Sequence, residues 1–222
     1  MDTEKGGPLG LKLPLPFLLV VGAALAAGGA AVSGVGPWSP GAVDAQQTTI
    51  RVVAPATVSP GTTSFQVEVQ VEDIPPPASG CETNSPPPLP DTCGLGGYEW
   101  ELVYDPAVIE LTDPANKAMA DGGFLGSTGR RVMACAPLLP PALNLPPGHV
   151  RFSCASDDPD HAEPFTVGPS GSGLLSTVTF RAVAEGGSPL NLAPTSGLGD
   201  TWGKPISASL ALECGVETGS ES

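Results

Sequence analysis

The stretch Gly97 to Leu111, GYEWELVYDPAVIEL, limits the fold more than any other part of the chain. Tyr98, Trp100, Leu102 and Tyr104 alternate with Glu99, Glu101 and Val103. Side chains of a strand point to opposite faces with a period of two, so this pattern describes a strand with one dry, bulky face and one mainly charged face. Asp105-Pro106 ends it. Proline has no N–H for a ladder and presets a turn, and the aspartate side chain accepts backbone N–H groups there. Val108, Ile109 and Leu111 then begin a second apolar strand. The stretch reads as a central strand of a β-sandwich followed by a turn.

The rest of the chain agrees. Phe65, Val67, Val69 and Val71 alternate with Gln66, Glu68, Gln70 and Glu72, as expected where one face is core and the other is wet. Further strands are read at Gln46–Ala54, Arg131–Ala136, Gly148–Ala155, Leu174–Ala184, Pro189–Ala193 and Ile206–Cys214, and one helical turn within Asp113–Asp121. The count is about nine short strands. Glycine (29) and proline (27) are abundant and charged residues make only 14%, which excludes a helical bundle. The net charge of −14 makes the chain a poor ligand for nucleic acid or anionic lipid headgroups.

Residues 1–45 read as an export segment. Lys5 and Lys12 precede an uncharged run from Leu13 to Val43, and Val43-Asp44-Ala45 fits a small-x-small cleavage site. A cleaved signal is favoured over an uncleaved anchor through residues 13–35, because Pro14, Pro16 and repeated glycines weaken that run as a spanning helix. Either way the rest is placed outside the cytoplasm, secreted or at the cell surface. The folded domain is assigned to residues 46–216, with a short tail at 217–222.

Residues 75–96 form a long insertion whose seven prolines exclude a sheet interior. Cys81 and Cys93 bracket its middle. A disulfide there is favoured over metal binding, since no histidine or second close cysteine pair accompanies them; it constrains the unfolded loop by roughly 3 kcal/mol in the chain-entropy picture. Two neighbouring antiparallel strands place Cys135 beside Cys154, and a buried Cys135–Cys154 bridge is expected. Cys214 is left as a free, buried thiol.

Chemistry is sparse. There are two histidines, His149 and His161, no G-x-S-x-G elbow and no zinc spacing. The glycines of Gly122–Gly129 lack the lysine of a phosphate loop. The acidic run Asp157–Glu163 matches no EF-hand and reads as a solvated loop. Glu99 and Glu101 lie side by side on one strand face, whereas a glycosidase pair must flank a bond across a cleft. No catalytic residue, metal site or cofactor is assigned.

YDPAVIEL, GGFLGSTGR and SGLLSTVTFRAVA, in that order, resemble the cohesin modules of bacterial extracellular proteins, over about Thr48 to Val216. The resemblance implies an all-β, nine-stranded antiparallel jelly-roll sandwich. It implies non-catalytic binding of a protein partner, dockerin-type or other, through the outward face of one sheet, in a setting such as polysaccharide degradation. By position that face carries Glu99, Glu101, His149, Arg151, Ser153, Thr177 and Thr179. The Asn/Asp pair of many dockerin-binding members is replaced here by Gly97 and Glu99. Two alternatives are a carbohydrate-binding module, for which Trp202 is the single candidate aromatic, and a structural domain of the cell envelope with no discrete ligand.

Overall fold

The computed structural model describes residues 47–84, 87–88, 91–112, 118–139, 144–211 and 214–219. The export segment, with residues 13–35, and the last residues of the tail lie outside the described residues.

Two sheets face each other. The first contains β1 (Thr49–Val53), β3 (Phe65–Ile74), β5 (Ile109–Leu111), β6 (Met119–Asp121), β9 (Gly171–Ala182) and β13 (Ser209–Leu210), in the order β13-β1-β3-β9-β5 with β6 also beside β9. The second contains β2 (Thr57–Val58), β4 (Leu95–Val103), β7 (Arg131–Leu138), β8 (His149–Asp157), β10 (Gly186–Leu192), β11 (Gly197–Asp200), β12 (Pro205–Ile206) and β14 (Cys214–Thr218). Here β4 is central. It pairs with β8 along one edge, and its other edge is shared between β11 and β10. Beyond β8 lies β7, and beyond β10 lie β14 and β2.

The alternating residues fill the space between the sheets. Val67, Val69 and Val71 of β3 are fully buried, as are Val178 and Phe180 of β9. Opposite them stand Trp100 and Leu102 of β4 and Val150 and Phe152 of β8. The rings of Trp100 and Phe152 are 5.7 Å apart, and the Tyr104 ring meets Phe180 edge-on at 5.0 Å. The Trp100 indole N–H donates across the sandwich to Ser176 Oγ at 2.8 Å. Tyr98 donates its hydroxyl to Leu175 O and also reaches Asp121 Oδ1. Burial, and then the neighbouring Asp121 charge, push the Tyr98 phenol far above its usual range, so it stays neutral and donates. Two polar bridges thus tie β4 to β9 inside an otherwise apolar layer.

Asp105 forms the turn read from Asp105-Pro106. Its Oδ1 accepts from Ala107 N at 2.8 Å and its carbonyl from Val108 N and Ile109 N. This turn carries the chain from one sheet to the other.

Several expectations are corrected. The sheets hold fourteen strands among the described residues, against nine expected, because two- to four-residue pairings form at the sheet margins. Two pairs, β1–β13 and β14–β2, are parallel. Ile206–Cys214 is not one strand: β12 pairs β11, β13 crosses to β1, and β14 pairs β10. Its alternation therefore reports successive contacts with two sheets. Of the span expected to hold one helical turn, residues 113–117 lie outside the described residues, and its end, Met119–Asp121, is strand β6 on the edge of β9. Strand β14 runs through Thr218, two residues into the expected tail.

Both expected disulfides are present, Cys81–Cys93 and Cys135–Cys154. The second joins cross-strand partners of β7 and β8. Cys154 is buried, but Cys135 lies exposed on the edge strand, so the bridge is covered on one side only. Cys214 is free and half-buried, not enclosed, because β14 lies near the sheet margin.

The cross-sheet bond gives a direct test. Ser176→Ala leaves the Trp100 N–H buried without an acceptor, and is expected to lower stability by about 1–3 kcal/mol in urea denaturation. A loss within error would show that the bond is not needed to hold the sheets together.

Candidate functional site

The outward face of β8 and β4 carries the charged side chains singled out from the sequence. In register, Glu99 stands opposite Ser153, Glu101 opposite Arg151, and Val103 opposite His149. Period two puts these on the side away from the core. The carboxylate of Glu101 is the centre. Its Oε1 accepts from His149 Nδ1 at 2.8 Å, and its Oε2 from Arg151 Nη2 at 2.7 Å and Thr195 Oγ1 at 2.9 Å. The other guanidinium nitrogen, Arg151 Nη1, lies 3.4 Å from Glu99 Oε1. Arg151 therefore bridges the two glutamates, which removes the repulsion that two neighbouring carboxylates would otherwise suffer.

The two glutamates differ. Glu99 is half exposed, while Glu101 is only 7% exposed. The segment between β10 and β11 covers it: Ala193 N donates to Glu101 O, Ser196 Oγ accepts from Glu101 N, and Thr195 caps the carboxylate. The expectation that both face solvent or a partner is thus corrected for Glu101. Burial alone would raise its pKa. The hydrogen bonds from Arg151, His149 and Thr195, with the charge of Arg151, outweigh burial and hold it at about 2 against an ordinary 4.5. Thr195 and Ser196 carry no signal in the sequence, because they meet Glu101 from more than ninety residues away.

Next to this charged strip lies an apolar one. Ala134, Ala136 and Leu138 of β7 stand opposite Ala155, Ser153 and Arg151. A register shift between Val132 and Ala134 leaves Met133 as the extra residue, 59% exposed at the sheet edge. The result is a broad face of mixed character, with a charge network beside small apolar side chains.

Thr177 and Thr179 do not belong to this face. They lie on β9, in the other sheet, opposite Glu68 and Gln66 of β3. Placing them beside Glu99 assigned β9 to the wrong layer, because period two tells which residues share a face but not which sheet a strand joins. Trp202 also lies elsewhere, in the turn after β11, with its ring edge-on to Phe165 at 5.7 Å.

The acidic run Asp157–Glu163 is not simply solvated. Asp158 is buried and accepts from Asp160 N and from Thr166 N. The Thr166 amide first, and then that of Asp160, hold its carboxyl below the usual range against the opposing effect of burial. Asp157 pairs with Arg131 at 3.0 Å and His161 at 3.2 Å.

Two facing, mainly antiparallel sheets around one core make the chain an all-β jelly-roll sandwich. Among solved structures the chain is similar to the sixth cohesin from scaffoldin B of Acetivibrio cellulolyticus, solved in complex with a Cel5 dockerin mutant. That likeness has a TM-score of 0.52 and 13% identity, covering 78% of this chain and 100% of that one. A type II cohesin domain from the cellulosome of Acetivibrio cellulolyticus gives 0.49 and 18%, covering 77% and 95%. A non-cellulosomal cohesin from the hyperthermophilic archaeon Archaeoglobus fulgidus gives 0.47 and 17%, covering 78% and 92%. No family model and no curated protein matches the chain. The chain folds as a cohesin-type module, and the first likeness carries that statement.

The depressed pKa of Glu101 has a testable sign. A carboxyl held below its unfolded value contributes stability that is full above about pH 4.5 and is lost as pH falls through about 2. Glu101→Gln is expected to lower the melting temperature at pH 7 and to flatten its decline between those limits, whereas Glu99→Gln should leave both nearly unchanged. Equal pH profiles for the two variants would contradict the assignment of Glu101 as the buried centre.

Proposed function

We propose that the chain is a non-catalytic module that holds a protein partner against the outward face of β7, β8 and β4. The observation that supports this is the face itself: an exposed apolar strip, Ala134 and Ala136, beside the partly exposed charges of Glu99 and Arg151. Protein interfaces commonly pair a small apolar patch with a polar rim that sets register. The cohesin of Acetivibrio cellulolyticus that shares the fold is held in complex with a dockerin, so a dockerin-type module is the first partner to try. In this reading the protein works outside the cytoplasm, after export by residues 1–45, and joins enzymes of polysaccharide breakdown to a surface or to one another.

The division of labour on the face sharpens the site. Glu99, Ser153 and Arg151 meet the partner, His149 contributes at one end, and Glu101 positions Arg151 from beneath. Thr177 and Thr179, on the other sheet, take no part.

The test is capture by the immobilised full chain of a panel of calcium-loaded dockerins. Glu99→Lys and Ala136→Glu are each expected to weaken capture about tenfold or more, with melting temperatures unchanged, because a single misplaced charge at a desolvated contact costs more than about 1.4 kcal/mol. Thr177→Lys should have no effect. Capture that is blind to Glu99→Lys and Ala136→Glu, or lost in Thr177→Lys, would move the interface to another surface; no dockerin captured at all would remove the dockerin reading.

A further inference from the structure

A second site lies away from that face, where three loops meet. The insertion brings Asn84, the loop after β8 brings His161 and Phe165, and the turn after β11 brings Thr201 and Trp202. With Arg130, Asp157, Asp158 and Thr166 they line a pocket of about 300 Å³, and Trp202 is 38% exposed.

The pocket is held by buried charge. Four charged residues are buried among the described residues: Glu101, Arg130, Asp158 and Asp200. The last three all serve this corner. Asp200 accepts from Trp202 N and Lys204 N at 2.8 Å, and from Cys93 N at 3.4 Å. Lys204 Nζ donates in turn to Pro87 O. Arg130 donates to Ser156 Oγ, Ser156 O and Thr166 O. Asp158 holds Asp160 N and Thr166 N. Two backbone bonds, Phe165 N to Glu82 O and Gly168 N to Cys93 O, fasten the loop to the insertion, and Asn84 N donates to Glu163 Oε1. The approach is so close that a Cβ on Gly94 would lie 2.1 Å from Gly168 O. Desolvating three charges to fix three irregular loops is costly, and the loop so fixed sets Phe165 edge-on to the Trp202 ring.

What remains unpaired identifies the ligand chemistry. The charged groups are already engaged: Arg130 lies in the field of Asp158 and Asp157, Asp200 is buried beneath backbone N–H groups, and Asp157 pairs with Arg131 and His161. Among the described residues lining the pocket, a charged ligand would find no unengaged opposite charge. The Trp202 indole N–H, the Asn84 side-chain amide and the Thr201 hydroxyl make no hydrogen bond among the described residues. They bring neutral donors and acceptors to the same pocket as the indole ring. A pyranose ring is the complement of such a wall. One face carries C–H groups that pack on an indole, and its rim carries hydroxyls that each donate and accept. The geometry points to a carbohydrate-binding pocket in which Trp202 is the stacking platform and Asn84 and Thr201 meet the sugar hydroxyls.

Isothermal titration of the full chain with the hexasaccharides of β-1,4-linked glucose, xylose, mannose and N-acetylglucosamine tests this. Saturable binding of at least one is expected below about 10 mM, weakened about tenfold or more by Trp202→Ala and measurably by Asn84→Ala. Glu99→Lys should leave it intact, which separates this site from the protein-binding face. No saturable heat with any of the four sugars would overturn the proposal, and so would binding indifferent to Trp202→Ala. If Trp202→Ala unfolds, as judged by its melting curve, unchanged binding by Asn84→Ala overturns it instead.

Discussion

The spacing of the two sheets depends on one side chain. Trp100 is the largest residue of a fully buried layer, and its N–H must find an acceptor there. Ser176 supplies it from the facing sheet. That single requirement places β9 opposite β4 in a defined register, since a one-residue slip of β9 would present Leu175 or Thr177 instead. Once β9 is placed, β3 pairs along it, β1 pairs along β3, and β5 and β6 take its far edge. Tyr98 adds a second bond to the same strand one pleat away, so the two sheets are joined by direction-dependent contacts as well as by apolar burial.

On the opposite side of β4 the same alternation produces a different outcome. Glu101 points away from the core, yet it is as well covered as many core residues, because the segment after β10 folds over it. A carboxylate in that position is tolerable only when each oxygen is bonded, and His149, Arg151 and Thr195 meet the requirement. The arrangement fixes Arg151, which then presents a rigid positive group beside the exposed Glu99.

Much of this was legible from residue order. Alternation located β3, β4, β8 and β9 and assigned their inner faces correctly, because a strand with one buried face must repeat every second residue. The cysteines could be paired because 81 and 93 bracket one loop and 135 and 154 lie on adjacent strands. Asp105-Pro106 was readable as a turn from local chemistry alone. The site was less legible. Glu99, Arg151, Ser153 and His149 come together as anticipated, but Glu101 is covered by residues with no local tie to it. Thr177 and Thr179 share the periodicity of a surface strand and nothing in that periodicity says which sheet they join. The segment Ile206–Cys214 alternates well and still breaks into three, since short pieces of chain can satisfy period two against different neighbours.

The sequence by itself determined that the protein is a β-sandwich, which faces are dry, where the main turns fall and how the cysteines pair. These follow from local rules: side-chain alternation, the missing proline N–H, and the proximity of neighbouring strands. The tertiary structure alone decided which sheet each strand joins, that Glu101 is buried and Glu99 is not, and that three distant loops close around Trp202. Those outcomes depend on contacts between residues far apart in the chain, where the cost of burying a charge is settled by partners that no local pattern can name.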